Sequence, residues 1–312
     1  MSTAQSVPPT HGELEGDEAL DTLRRCGRRR LVWDAITRFR AADGFSHARA
    51  LAFQAVLTLL PAIIAVVGLA ATLEQEGFSN AVRVTIGALA PGAAGDILTA
   101  ALRQGSSAAT RETGEIAVVG GFLAAVASGM AAMTAIERGA NRIYGVERDR
   151  PFVRRYLVAL ALALTAGVLA LASVAVLVGG AAIADAIGWG ARVDAVWSVA
   201  RWPLGLAFTV TSIALLFEVA PRRRQPEASG LAFGAVAAAG LWLAFMGVLA
   251  LYLEATGAFG ATHGPIAGTI GVLLWALLTS IALFGGLALA AQLEAVRAGV
   301  PGPRVEREVN EG

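Results

Sequence analysis

The chain has no lysine, one cysteine and three histidines among its 312 residues, and only 16% of it is charged. Each scarcity excludes something. Cys26 alone cannot build an internal disulfide framework. His11, His47 and His263 lie far apart in the chain. No zinc-type histidine cluster, close carboxylate cluster for magnesium, Ser-His-Asp arrangement or phosphate-binding glycine loop accompanies them. The expectation is of no catalytic residue, no metal, no cofactor and no enzymatic activity. A net charge of +1 provides no basic field, so no nucleic-acid partner is expected. Soluble domains are typically about 25% charged. The shortfall here, with 56% hydrophobic residues and a mean hydropathy of +0.62, points to a membrane-integral chain.

What is present is a succession of long apolar runs. The run Ile116 to Ile136 is unbroken, and as a helix it would be about 31 Å long, close to the hydrocarbon thickness of a bilayer. It leads into a polar segment holding Arg138, Arg142, Arg148, Arg150, Arg154 and Arg155. Arginine clusters beside a span stay on the cytoplasmic side.

Taken in order, residues 1–27 read as a disordered cytoplasmic tail without a signal-peptide core. Val32, Ile36 and Phe39, with Trp33 beside them, recur at helical spacing, while Arg30, Asp34, Arg38 and Arg40 lie largely elsewhere around the helix. That pattern suits an amphipathic helix in the inner interface, or a solvated helix packed on the domain. Spans are expected at about 50–73, 116–136, 156–184, 196–220, 231–253 and 266–293, followed by a cytoplasmic tail at 299–312. The first span contains Pro61, which should kink it. Short amphipathic helices are expected in the outer connection between Glu74 and Glu115. Gly121, Ala125 and Gly129 form a small-residue stripe, and Gly230 and Gly234 a GxxxG. Trp197 and Trp202 serve as interfacial anchors, and Pro221 marks a second helix irregularity. Nearly all arginines fall on one side of this alternation. The fold class is therefore all-α, a polytopic membrane protein with six transmembrane helices and both termini cytoplasmic.

Four places in this pattern resemble the YihY or BrkB-like family of inner-membrane proteins, some of which have been called ribonuclease BN. They are ALAFQAVLTLLPAIIAV with Thr58 three residues before Pro61, NRIYGVERDRPFVRR with Asn141 and Arg150, LLFEVAPRRR with Phe217 and Pro221, and the last span with Gly264 and Trp275. The resemblance covers roughly Trp33 to Ala298. It implies a bacterial inner-membrane protein with a transport-like role in envelope or lipid metabolism, and names no substrate. Where the family commonly reads Gly-Ala-Glu-Leu-Asn, this chain has Ala290, Ala291, Gln292, Leu293 and Glu294. The carboxylate is displaced by two residues, and no proton-linked role is carried over to it.

Polar side chains inside a bilayer are candidate functional groups because burying them unpaired is costly. Here these are Gln54, Thr58, Glu137, Asn141, Glu218, Gln292 and Glu294, all but Thr58 near the inner ends of their spans. One reading gathers them into a polar vestibule ringed by Arg138, Arg142 and Arg222, open to the cytoplasm and suited to an anionic lipid or small metabolite. On this reading Gln54, Thr58, Glu137, Asn141, Arg142, Glu218, Arg222 and Gln292 bind substrate, while Pro61, Pro221, Gly264 and Trp275 are structural. The other reading has the carboxylates pair with nearby arginines and fix topology only. Three function classes follow: a transporter or flippase-like protein, a non-transporting envelope scaffold, and a ribonuclease. Membrane lipid is the expected partner in the first two.

Overall fold

The computed structural model describes residues 3–9, 24, 27–72, 114–177, 180, 184, 190–225, 228–255 and 258–304. Its helices are α1 (Arg28–Ala41), α2 (Gly44–Thr72), α3 (Gly114–Ile143), α4 (Phe152–Leu162), α5 (Val168–Leu177), α6 (Ala191–Val219), α7 (Ala228–Ala255) and α8 (Ala258–Arg297). A π-helical turn, Ala163–Gly167, joins α4 to α5 into one rod. There is no strand among the described residues. The connection expected to carry short outer helices falls almost wholly outside the described residues.

Five helical stretches are long and apolar enough to cross a membrane: Val119–Ile143, Phe152–Leu177, Arg192–Val219, Leu231–Tyr252 and Ile270–Arg297. The exposed surface supports the same conclusion. Phe122, Leu123, Leu171, Val196, Val199, Leu243, Val248 and Leu251 all stand exposed, far more apolar surface than a water-soluble protein presents. α3 continues past its expected limit at Ile136, and there Glu137, Asn141 and Arg142 have hydrogen-bond partners. Glu137, Arg138, Asn141 and Arg142 belong to α3 rather than to the following loop. Pro61 sits inside α2, and Pro221 follows the end of α6.

The helices form a ring. Neighbours in contact are α2 with α3, α3 with α4, the α4–α5 rod with α6, α6 with α7, α7 with α8, and α8 back onto α2, and α8 also touches α3 across the circuit. α1 lies against α8 and touches α2 and α3. At the α7–α8 crossing a Cβ on Gly234 would lie 2.6 Å from Ala290 Cβ, and one on Gly286 would collide with Ala238. Gly234 thus makes the close approach expected of it, although its working partner in α7 is Ala238. Gly129 faces Ala163 at ordinary contact distance. The π turn has a polar counterpart, since Ser212 Oγ donates to the Ala166 carbonyl at 2.8 Å.

The main core lies at the arginine-rich end. Phe39, Ile136, Ile143, Tyr144, Phe217, Leu231, Phe284 and Leu287 form it, joined by Ala4 and Val7 from the extreme N-terminus. Residues 3–9 are therefore packed against the bundle, where a disordered tail was expected. They are held because Ala4 and Val7 are buried and their N–H groups bond the carbonyls of Arg142 and Tyr144, each at 3.1 Å.

Candidate functional site: a polar network at the arginine-rich end

α1 carries an arginine on its buried face. Leu31, Ala35, Arg38 and Phe39 are buried together, while Val32, Trp33 and Ile36 point outward. This corrects the placement of Arg38 on the polar side: the inward stripe is rotated about one residue from the expected one. Arg38 is wholly buried. Its Nε donates to Gln292 Oε1 at 2.7 Å, and its Nη1 to the carbonyls of Gln5 (2.8 Å) and Ile143 (3.3 Å). Nη2 has no hydrogen-bond partner. Burial pushes this guanidinium down to about 10. Gln292 completes its amide by donating Nε2 to the Pro301 carbonyl at 2.8 Å.

Beside it, Arg223 grips Glu294 bidentately, with Nη2 to Oε1 at 2.6 Å and Nη1 to Oε2 at 3.1 Å. The same guanidinium lies 4.5 Å above the Tyr144 ring and donates to the Pro8 carbonyl at 3.2 Å. Burial pushes the Tyr144 phenol above its usual range. The displaced carboxylate of the last span thus has a cation waiting for it at the end of α6.

Arg150 makes the second buried ion pair, with Nη1 3.4 Å from Glu137 Oε1. It also closes the C-terminus of α6. Nη1 donates to the Ala220 carbonyl at 2.6 Å, and Nη2 to those of Val219 (2.9 Å) and Pro221 (3.0 Å). Helix C-termini leave carbonyls unpaired and carry partial negative charge, so a cation here is doubly favoured. Asn141 ties the two strands of the network. It donates to Asp149 Oδ1 at 2.9 Å and accepts the Arg222 N–H at 2.7 Å.

The structure brings Glu137, Asn141, Arg142, Arg222 and Gln292 to this one end, all within the network or its rim. Arg142 and Arg222 are occupied with carbonyls, of Val146 and Glu147 in the first case and of Arg148 and Asp149 in the second. Glu218 is exposed and stands apart from the buried groups. Gln54 and Thr58 lie further along α2. Gln54 Nε2 reaches the Ser128 carbonyl at 3.5 Å, and Thr58 Oγ1 donates to the Gln54 carbonyl at 2.8 Å. Trp275 is half-buried in α8, and Gly264 lies in the same helix nearer its start. Among the described residues no three His, Cys, Asp or Glu side chains come together to hold a metal ion.

Sequence reasoning missed Arg38 and the pairing of Arg223. A usable signal existed for the first, since Leu31, Ala35, Arg38 and Ala42 follow helical spacing with Arg38 as the one polar member.

The family model described as Virulence factor BrkB matches residues 35–309. A ribonuclease-like protein, YfkH, of Bacillus subtilis (strain 168) is 26% identical over 260 residues, covering 81% of this chain and 91% of the relative. No solved structure matches the chain.

Proposed function

The chain belongs to the BrkB family, and from that premise we propose that it is a transporter- or flippase-like protein of the bacterial plasma membrane. Its cargo is an anionic lipid or envelope metabolite. α2 acts as a sixth span beside the five apolar stretches, both termini lie in the cytoplasm, and α1 rests in the inner interface on Val32, Trp33 and Ile36. In this reading the buried network is the closed cytoplasmic end of the ring.

One observation carries the proposal: packing is uneven along the bundle. Among the described residues, the fully buried charged side chains, Arg38, Glu137 and Glu294, sit at the arginine-rich end with the main core. Away from that end, the described residues of α3, α5, α6 and α7 are largely half-exposed or exposed. A protein whose only task was to stay folded would gain from interdigitating its helices along their whole length. A ring sealed by polar groups at one end has instead a barrier that can be broken by exchanging hydrogen bonds.

The scaffold reading has its own support, because Arg142, Arg150 and Arg222 bind backbone carbonyls and so act as structural clamps. The name of the Bacillus relative suggests RNA cleavage, but no ligand constellation on the described residues supports that for this chain.

Lipid translocation decides between the first two. Purified protein is reconstituted in vesicles carrying fluorescent phosphatidylglycerol, and the outer leaflet is bleached with a membrane-impermeant reductant. Protein-dependent loss of the protected inner pool supports transport. A pool as stable as in protein-free vesicles, with a soluble anion equally excluded, supports the scaffold.

A further inference from the structure

Residues 3–9 cross the arginine-rich end as a strap. Its attachment is backbone and small side chains. Ala4 and Val7 are buried, their N–H groups bond Arg142 and Tyr144 carbonyls, and the Gln5 N–H donates to the Pro303 carbonyl at 3.2 Å. Gly145 makes room for it: its φ is +75°, and a Cβ there would lie 2.5 Å from Ser6 Cα. The strap turns two carbonyls inward. Gln5 O accepts from Arg38 and Pro8 O from Arg223.

Carbonyls satisfy donors without neutralising charge. Among the described residues no carboxylate is in ion-pair contact with the buried Arg38, and its Nη2 is left without an acceptor. Arg223 is already neutralised by Glu294. The cluster of two guanidinium groups and one carboxylate therefore retains one net positive charge, centred on Arg38. An anion taking the place of Gln5 O could reach Nη1 and the orphan Nη2 together, replacing a neutral acceptor by charge-assisted bonds.

We propose that the strap 3–9 is a displaceable cover over an anion site built on Arg38, and that the site takes a singly charged phosphodiester. A phospholipid headgroup and a soluble phosphodiester share that chemistry. The site does not depend on transport, since a scaffold would use it to hold lipid, so a failed translocation assay leaves it standing.

Hydrogen exchange of the Ala4 and Val7 amides in the full chain reads the cover directly. The protein is placed in phosphatidylcholine vesicles, in vesicles with phosphatidylglycerol admixed, or in phosphatidylcholine with diethyl phosphate added. Exchange should quicken about tenfold with the phosphodiester, as expected if the occupant shifts a mostly closed strap toward the open state. Acceleration by both probes identifies any phosphodiester as ligand; acceleration by phosphatidylglycerol alone identifies a headgroup delivered from the bilayer. The effect should vanish in Arg38→Gln. Exchange unchanged by both probes, or equal acceleration in Arg38→Gln, would overturn the proposal. As a second measurement, a chain lacking residues 2–9 should bind whichever phosphodiester quickens exchange more tightly than the full chain does, because the closed fraction no longer reduces apparent affinity. Equal affinities would contradict the covering role.

Discussion

Arg223 and Glu294 join the segment after α6 to the last turns of α8 through a bidentate ion pair, at 2.6 and 3.1 Å. The pair is buried on both sides, with 6% and 2% of the two side chains exposed. Removing one partner leaves the other charge stranded, which costs far more than removing both. Glu294→Gln should therefore lower unfolding stability in detergent by about 3 kcal/mol. Arg223→Met with Glu294→Met should cost less than Arg223→Met or Glu294→Met alone, and a denaturant titration of these three variants beside the unaltered chain reads the difference.

Arg150 presents two nitrogens to three carbonyls at the end of α6 while facing Glu137. A lysine ammonium keeps the charge but cannot reproduce that fork. Arg150→Lys should destabilise by about 2 kcal/mol, the scale of charged hydrogen bonds lost from a buried site. Circular dichroism melts in detergent should show the loss, and near-identical melts would mean that the cap is incidental.

The arginine asymmetry makes a topology prediction. Reporter fusions after Arg155 and after Arg223 should score cytoplasmic, and fusions at Gly105 and Gly260 external. An external score at Arg223 would break the six-span arrangement.

Enzymatic activity is expected to be absent. Detergent-purified protein should not cleave RNA with magnesium or zinc. Metal-dependent cleavage abolished by replacing one carboxylate or histidine of this chain would establish the opposite.

Much of this architecture was legible in the sequence because a bilayer imposes length and composition on every span. The stretch Ile116 to Ile136 needed no tertiary information to be read as a helix. The ends were less legible. Asn141 and Arg142 look like loop residues until Asp149, Val146 and Glu147 are seen to satisfy them. Arg38 was hidden for a related reason: α1 has apolar residues on two adjacent faces, and only packing against α8 decides which turns inward. The carboxylate at 294 was noticed as displaced, but its partner Arg223 is 71 residues away in the chain, a pairing no local pattern encodes.

The central claim is that the polar network closes one end of a conducting ring, and a reversible lock tests it most directly. In a Cys26→Ser background, Arg223→Cys and Glu294→Cys together place two thiols where the ion pair stood. The protein is reconstituted with fluorescent phosphatidylglycerol and joined by a short, reducible thiol cross-linker. The account predicts rapid translocation before cross-linking, near-background translocation after it, and recovery on reduction. Equal rates in the fully cross-linked and reduced states would contradict it.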